Sequence, residues 1–288
     1  MRLLAFPDYE AQSRALAKAL DVPCDVVNVH RFPDGESRLR LPAILSGEVI
    51  LCRSLDDPNA KLVELMLAAE GARVLGAARL TLVAPYLCYM RQDTAFATGD
   101  VVSQKVIGRF LADHFDQVIT VDPHLHRVAT LAEAVPAERS VAVSAAPAMG
   151  DFLAARGQRP LLVGPDRESR QWVQIVAERA GLDYVVASKT RHDDRRVEIT
   201  LPPTDYAKRS VVLVDDLAST GHTLAEAARA LTDAGALRVD VLVTHALFVG
   251  DALEIMRRAG IGEVWSSDSV THASNAFPLA ATLAAAVR

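Results

Sequence analysis

Val211-Val212-Leu213-Val214-Asp215-Asp216-Leu217-Ala218-Ser219-Thr220-Gly221-His222-Thr223 is the stretch on which the fold turns. Four successive apolar residues read as a strand buried on both faces, as in a parallel sheet. The two carboxylates fall where that strand is expected to end. A Ser-Thr-Gly turn follows, and then the helical pattern Leu224-Ala225-Glu226-Ala227-Ala228-Arg229-Ala230-Leu231. Strand, short loop and helix N-terminus make an anion site, because free backbone N–H groups and the positive end of the helix dipole face one point. Gly221 permits close backbone approach, and Ser219, Thr220 and Thr223 add hydroxyl donors. Paired carboxylates beside such a cradle suit a sugar phosphate, since they accept hydrogen bonds from adjacent ribose hydroxyls. Helix capping would account for one Asp but not for two in succession. The carboxyl end of a parallel strand is also where open α/β sheets bind ligands.

The same alternation extends outward through the chain. Strands are predicted over 49–52, 80–84, 118–121, 161–163, 211–214 and 239–244. Helices are predicted over 60–72, 104–115, 145–156, 170–180, 224–234 and 252–259. Such alternation implies βαβ units and a mostly parallel sheet. The halves resemble each other. Residues 49–57 and Leu62-Val63-Glu64 can be laid on 211–216 and Leu224-Ala225-Glu226, at a shift of about 160 residues that suits a duplicated domain. Leu80-Thr81-Leu82-Val83 then falls on Leu242-Val243-Thr244-His245 without a gap. The N-terminal copy carries Arg53-Ser54 in place of Asp215-Asp216, so it is not expected to bind ribose in the same way. The expected domains are 1–145, joined by a C-terminal helix at 278–288, and 146–277.

Composition excludes several classes. With 288 residues, half of them apolar and 23% charged, the chain reads as globular, with one large or two ordinary domains. Its net charge of −5 gives no electrostatic reason to expect nucleic acid. Cys24, Cys52 and Cys88 are odd in number and unclustered, which points to a reducing compartment and away from disulfides or structural zinc. No run approaches a signal peptide or a membrane span, so a cytoplasmic protein with no membrane partner is expected.

Five further clusters carry chemistry. Tyr86-Leu87-Cys88-Tyr89-Met90-Arg91-Gln92-Asp93-Thr94 follows the strand at 80–84, and the planar fork of Arg91 could stack on a base or grip phosphate. Phe32-Pro33-Asp34-Gly35-Glu36 is a tight turn that could present an aromatic face to a purine. In Asp122-Pro123-His124-Leu125-His126, Pro123 disfavours a regular inner strand, so one imidazole, His124, is placed near a magnesium–phosphate complex and His126 is structural or superficial. Gly164-Pro165-Asp166-Arg167-Glu168-Ser169 offers Asp166 either as a hard-oxygen ligand for Mg²⁺ or as a helix cap. Ser188-Lys189-Thr190-Arg191-His192-Asp193-Asp194-Arg195-Arg196 is charged and lacks apolar anchors. It reads either as a solvated hairpin tip or as a mobile lid carrying Lys189 and Arg191 over a polyphosphate.

In their order along the chain, the segments resemble the ribose-phosphate diphosphokinases (PRPP synthetases) over nearly the whole chain. The family's Phe-Ser-Asp-Gly-Glu motif appears as residues 32–36, its Tyr-x-x-Tyr-x-Arg-Gln-Asp motif as 86–93, and its Asp-Pro-His motif as 122–124. Its Pro-Asp metal segment appears as Pro165-Asp166, and its catalytic Lys-x-Arg as Lys189-Thr190-Arg191. The resemblance implies two similar phosphoribosyltransferase-like α/β domains around one site, completed by a neighbouring subunit in a homodimer or larger homo-oligomer. Phe32, Asp34 and Glu36 would contact adenine across that interface, and Arg91, Gln92, Asp93 and His124 would bind ATP. His124 and Asp166 would position Mg²⁺. Asp215 and Asp216 would hold the ribose hydroxyls, while Ser219, Thr220, Gly221, His222 and Thr223 would cradle the 5-phosphate. Lys189 and Arg191 would stabilise diphosphoryl transfer from Mg²⁺–ATP to ribose 5-phosphate, giving PRPP and AMP. Departures from the family pattern are Ser219 for a frequent Asp, His222 for a frequent Gly, Glu168-Ser169 after Arg167, and Thr94 for a frequent basic residue. The alternatives are a non-catalytic regulatory homologue, a phosphoribosyltransferase using only the ribose loop, and, more distantly, a His-x-His metallohydrolase.

Overall fold

The computed structural model describes residues 1–191 and 197–288; the last five residues of the charged run, 192–196, lie outside the described residues. The chain divides into two compact units, Met1–Val143 with Ala280–Arg288, and Ser144–Leu279.

The first unit contains β1 (Arg2–Ala5), α1 (Glu10–Leu20), β2 (Cys24–Val26), β3 (Asn28–Arg31), β4 (Ser37–Arg40), β5 (Gly47–Cys52), α2 (Pro58–Val74), β6 (Ala77–Ala84), α3 (Ser103–His114), β7 (Gln117–Val121), α4 (Leu131–Ala134) and β8 (Arg139–Val143). Six strands form a parallel sheet in the order β2-β1-β5-β6-β7-β8. Its central strands are apolar along their length because helices cover both faces: Leu4, Leu51, Leu80, Leu82 and Val118 are fully buried. Each such side chain contributes about 1.5–3 kcal/mol relative to exposure. β3 and β4 form a separate antiparallel hairpin.

The second unit contains α5 (Ala146–Ala155), β9 (Leu161–Gly164), α6 (Arg170–Ala180), β10 (Tyr184–Val186), β11 (Ser188–Arg191), β12 (Val197–Thr200), β13 (Ser210–Ala218), α7 (His222–Asp233), β14 (Arg238–Ala246), α8 (Ala252–Arg258), β15 (Ile261–Ser267) and β16 (Asn275–Phe277). Its parallel sheet runs β10-β9-β13-β14-β15-β16, with β11 and β12 as a separate antiparallel hairpin. The last helix, α9 (Ala280–Val287), returns to the first unit and packs on α1. All three cysteines are free. Among the described residues, no helix is long and apolar enough to cross a membrane.

The strand orders of the two sheets match, and so do their rungs. Val49 pairs with Arg2, and Val211 with Leu161, which makes Val49 and Val211 equivalent and carries Arg53 onto Asp215. The two hairpins correspond as well: Arg31↔Ser37 and Arg191↔Val197 each close a five-residue loop. The gap-free sequence alignment fails beyond this point. Val49 also pairs with Leu80 and Val211 with Val239, so Leu80 corresponds to Val239 and not to Leu242. Helices α2 and α7 both end just before a glycine of positive φ, Gly76 (+105°) and Gly235 (+91°). Counting back from those glycines, Glu64 corresponds to Thr223 and not to Glu226. Arg53 to Gly76 spans 23 positions and Asp215 to Gly235 spans 20, so the first unit's connection is three residues longer. A shift of three along a helix returns apolar residues to the same face, which is why the sequence hid the insertion.

Candidate functional site

In the second unit, β13 does not end at the two carboxylates as its apolar run suggests. It continues to Ala218, paired with β14 through Leu217↔His245 and Ala218↔Ala246. On its other side the last rung with β9 is Val163↔Leu213. Asp215 and Asp216 therefore lie inside the strand yet beyond the end of its neighbour, at the carboxyl edge where the sheet opens. Asp216 is buried and Asp215 half-buried. An Asp215 carboxylate oxygen accepts the Asp216 N–H at 3.0 Å. Burial, reinforced by the negative charges of Asp216 and Asp166, pushes the Asp215 carboxyl well above the usual range.

The loop then turns at Gly221, whose φ of +76° suits glycine. A Cβ at Gly221 would lie 3.0 Å from both the Ala252 carbonyl oxygen and Met256 Cγ. Helix α7 starts at His222, and no side chain caps its first turn. Its leading N–H groups are thus available to an anion. His222 is exposed, and Ser219 and Thr223 are half-buried beside it.

Asp166 sits in the turn after β9. Its Oδ1 accepts the N–H groups of Glu168 (3.1 Å) and Ser169 (3.3 Å), while its Oδ2 accepts Lys189 Nζ at 3.3 Å. One oxygen thus holds the local turn and the other reaches the β11–β12 hairpin. A Cβ at Gly164 would come within 2.4 Å of Ser169 Oγ, so the hydroxyl that donates to the Asp166 carbonyl would have to shift. Arg191 ends β11, and its side chain lies outside the described residues.

The first unit carries the remaining candidates. The loop between β3 and β4 leaves Phe32, Asp34 and Glu36 exposed, with Phe32 edge-on to His30 at 4.7 Å between centroids. Arg91 is exposed. Its neighbours serve the fold: Gln92 Oε1 accepts Ser103 Oγ at 2.9 Å at the start of α3, and buried Asp93 accepts Arg127 Nη1 at 2.5 Å. His124 is half-buried just past β7, its ring meeting exposed His126 edge-on at 4.2 Å.

Sequence reasoning missed one cluster. Arg53, at the position equivalent to Asp215, is among the largest fully buried side chains. It pairs with Glu64 at 2.7 Å and Asp8 at 3.1 Å and lies over the Phe6 ring at 4.3 Å. Lys61 Nζ donates to the Ser54 carbonyl (3.0 Å) and to Asp56 (2.8 Å), and pairs with Asp8 at 3.2 Å. These ion pairs lie at the end of β5, the strand equivalent to β13. The signal in the sequence was Arg53-Ser54 itself, but its partners are remote in the chain.

Residues 1–114 match the model of the N-terminal domain of ribose phosphate pyrophosphokinase, and residues 136–259 match that of the phosphoribosyl transferase domain. The chain is 36% identical to a ribose-phosphate pyrophosphokinase of Methanopyrus kandleri, over 100% of this chain and 98% of that protein. It is 31% identical to ribose-phosphate pyrophosphokinase 2 of Archaeoglobus fulgidus, over 99% of both. The crystal structure of phosphoribosylpyrophosphate synthetase from Mycobacterium smegmatis shares the fold, with a TM-score of 0.83 at 21% identity over 100% of this chain and 98% of that one.

Proposed function

The chain belongs to the ribose-phosphate pyrophosphokinase family, and on that premise we propose that it transfers the diphosphoryl group of Mg²⁺–ATP to the 1-hydroxyl of ribose 5-phosphate. It is an enzyme of the ribose-phosphate diphosphokinase class. The observation that carries the reading is the β13–α7 loop. Two crowded carboxylates there precede an uncapped helix N-terminus, and the equivalent strand of the other unit carries Arg53 in their place.

In this reading Asp215 and Asp216 accept hydrogen bonds from the ribose hydroxyls. Ser219, Thr220, Gly221, His222 and Thr223 surround the 5-phosphate, with backbone N–H groups as the main donors. Arg91 and the Phe32, Asp34 and Glu36 loop bind ATP, with the loop serving a neighbouring copy in a homo-oligomer; Gln92 and Asp93 support Arg91 through their fold contacts. The ribose O1 attacks the β-phosphorus as the bond from that phosphorus to the α,β-bridging oxygen breaks. AMP departs with that oxygen, and the hydroxyl proton is released. Lys189 and Arg191 neutralise the charge that grows on the transferring group.

The donor set fits Mg²⁺: Asp166 offers a carboxylate oxygen, and its charge already raises the proton affinity of Asp215, a crowding that a divalent cation would relieve. Asp166 would hold the ion, with His124 next to the ATP phosphates. Bound Mg²⁺ supplies charge neutralisation on the polyphosphate.

The test is direct. Purified protein given Mg²⁺, ATP and ribose 5-phosphate should release AMP and form PRPP in equal amounts. Binding of both ligands without AMP release would identify a regulatory homologue instead.

A further inference from the structure

By the strand rungs Arg53 occupies the position of Asp215, and counting back from Gly76 and Gly235 puts Glu64 at that of Thr223. An ion pair therefore stands where the second unit has two of its proposed ribose-phosphate groups. Both side chains are 1% exposed and 2.7 Å apart. Glu64 makes further bonds. Its Oε1 accepts Arg31 Nε at 2.8 Å and Ser37 Oγ at 2.9 Å, and its Oε2 accepts Arg31 Nη2 at 3.3 Å. Arg31 and Ser37 are the last rung of the β3–β4 hairpin, and the loop they close is Phe32-Pro33-Asp34-Gly35-Glu36. One buried carboxylate on α2 thus holds both ends of that loop.

We propose that Glu64 is a positioning residue for ATP: at the first unit's counterpart of the proposed ribose-phosphate position stands a buried clamp that holds the Phe32–Glu36 loop in its binding geometry. This rests on the reading that the loop contacts ATP. Residues 32–36 are all exposed, Phe32 at 38%, so contacts at the loop's two ends matter for its geometry. A groove lined by Asp34, Gly35, Glu36, Val63 and Leu67 opens between loop and helix. The clamp spares ATP the cost of ordering the loop on binding. Arg53 is what allows Glu64 to be buried, because an ionised carboxylate out of water needs a partner there. At the equivalent position the second unit carries Thr223, which has no charge.

The test uses the full chain with Arg31→Gln and Ser37→Ala, singly and together, which cuts the clamp at the loop while leaving the buried Arg53–Glu64 pair. The double variant should raise KM for ATP about tenfold, with kcat and KM for ribose 5-phosphate within about twofold. Amide exchange over 32–36 should accelerate while that of α2 stays unchanged. Ser37→Thr, which keeps the hydroxyl, should behave as the parent. Unchanged exchange and unchanged KM for ATP in the double variant would overturn the clamp. Phe32→Ala with an unaltered KM for ATP would instead overturn the loop's assignment to ATP, even if the double variant's exchange still accelerated.

Discussion

Lys189 Nζ lies 3.3 Å from Asp166 Oδ2, so the strand that leads into the charged run is joined to the turn after β9. The cation assigned to transfer and the carboxylate assigned to Mg²⁺ neutralise each other. A metal ion at Asp166 would compete with that pairing and leave Lys189 for the phosphates. Lys189→Ala should lower kcat by about 10²–10³-fold, the scale of a lost transition-state donor, with modest changes in KM. Arg191→Ala should act in the same direction. Steady-state kinetics decide it: weakened binding at full turnover would remove both residues from the transferring step.

The raised proton affinity of Asp215 makes stability depend on pH. Burial comes first among its causes, followed by the charges of Asp216 and Asp166. Because the folded state holds the proton more tightly than the unfolded chain, this contribution is fully present below the ordinary carboxylate pKa. It is lost as the pH rises through the raised value. Asp215→Asn cannot titrate. Its Tm should therefore exceed the parent's at pH 8, by about 2–4 °C for each kcal/mol relieved, and converge with it below pH 4. Ribose 5-phosphate affinity should fall in the same variant. Melting curves across this pH range check the sign.

Gly221→Ala should damage the loop rather than the fold as a whole. At φ +76° with two contacts at 3.0 Å, the added methyl costs about 1–3 kcal/mol. Calorimetric titration with ribose 5-phosphate should show at least about a tenfold loss of affinity, with ATP affinity retained.

Glu64 contributes on the acid side. Its burial alone would raise its pKa, but the bonds from Arg31, Arg53 and Ser37 outweigh burial and hold it at about 2. That depressed value contributes stability above the ordinary carboxylate range, and the contribution is lost as the pH falls through about 2. The amount is on the order of 3 kcal/mol. Joint replacement of Arg53 and Glu64 by Gln should flatten the acid limb between pH 4.5 and 2. An acid limb identical to the parent's would show that the pair contributes nothing to acid stability.

The βαβ alternation was legible because strands buried on both faces must be apolar along their length, as in Val211-Val212-Leu213-Val214. Short pieces escaped that logic: the four-residue hairpin strands β3 and β4 carry His30, Arg31 and Arg38 and show no apolar run. The site motif at 215–223 was legible because carboxylates, glycine and helix start are consecutive in the chain. Its exact setting was not, since the continuation of β13 to Ala218 depends on β14 as a neighbour.

The sequence by itself determined the fold class, the duplicated plan and the strand-to-helix turn at 215–223, because each is written in adjacent or evenly spaced residues. Only the tertiary structure decided where the repeat shifts by three residues. It alone decided that Arg53 is buried, and that Glu64 binds a hairpin 27 residues away at Ser37 and 33 away at Arg31. The physical reason is one of range. Periodicity and turn chemistry act between neighbours along the chain, whereas a charge can be buried only beside a partner that folding brings to it.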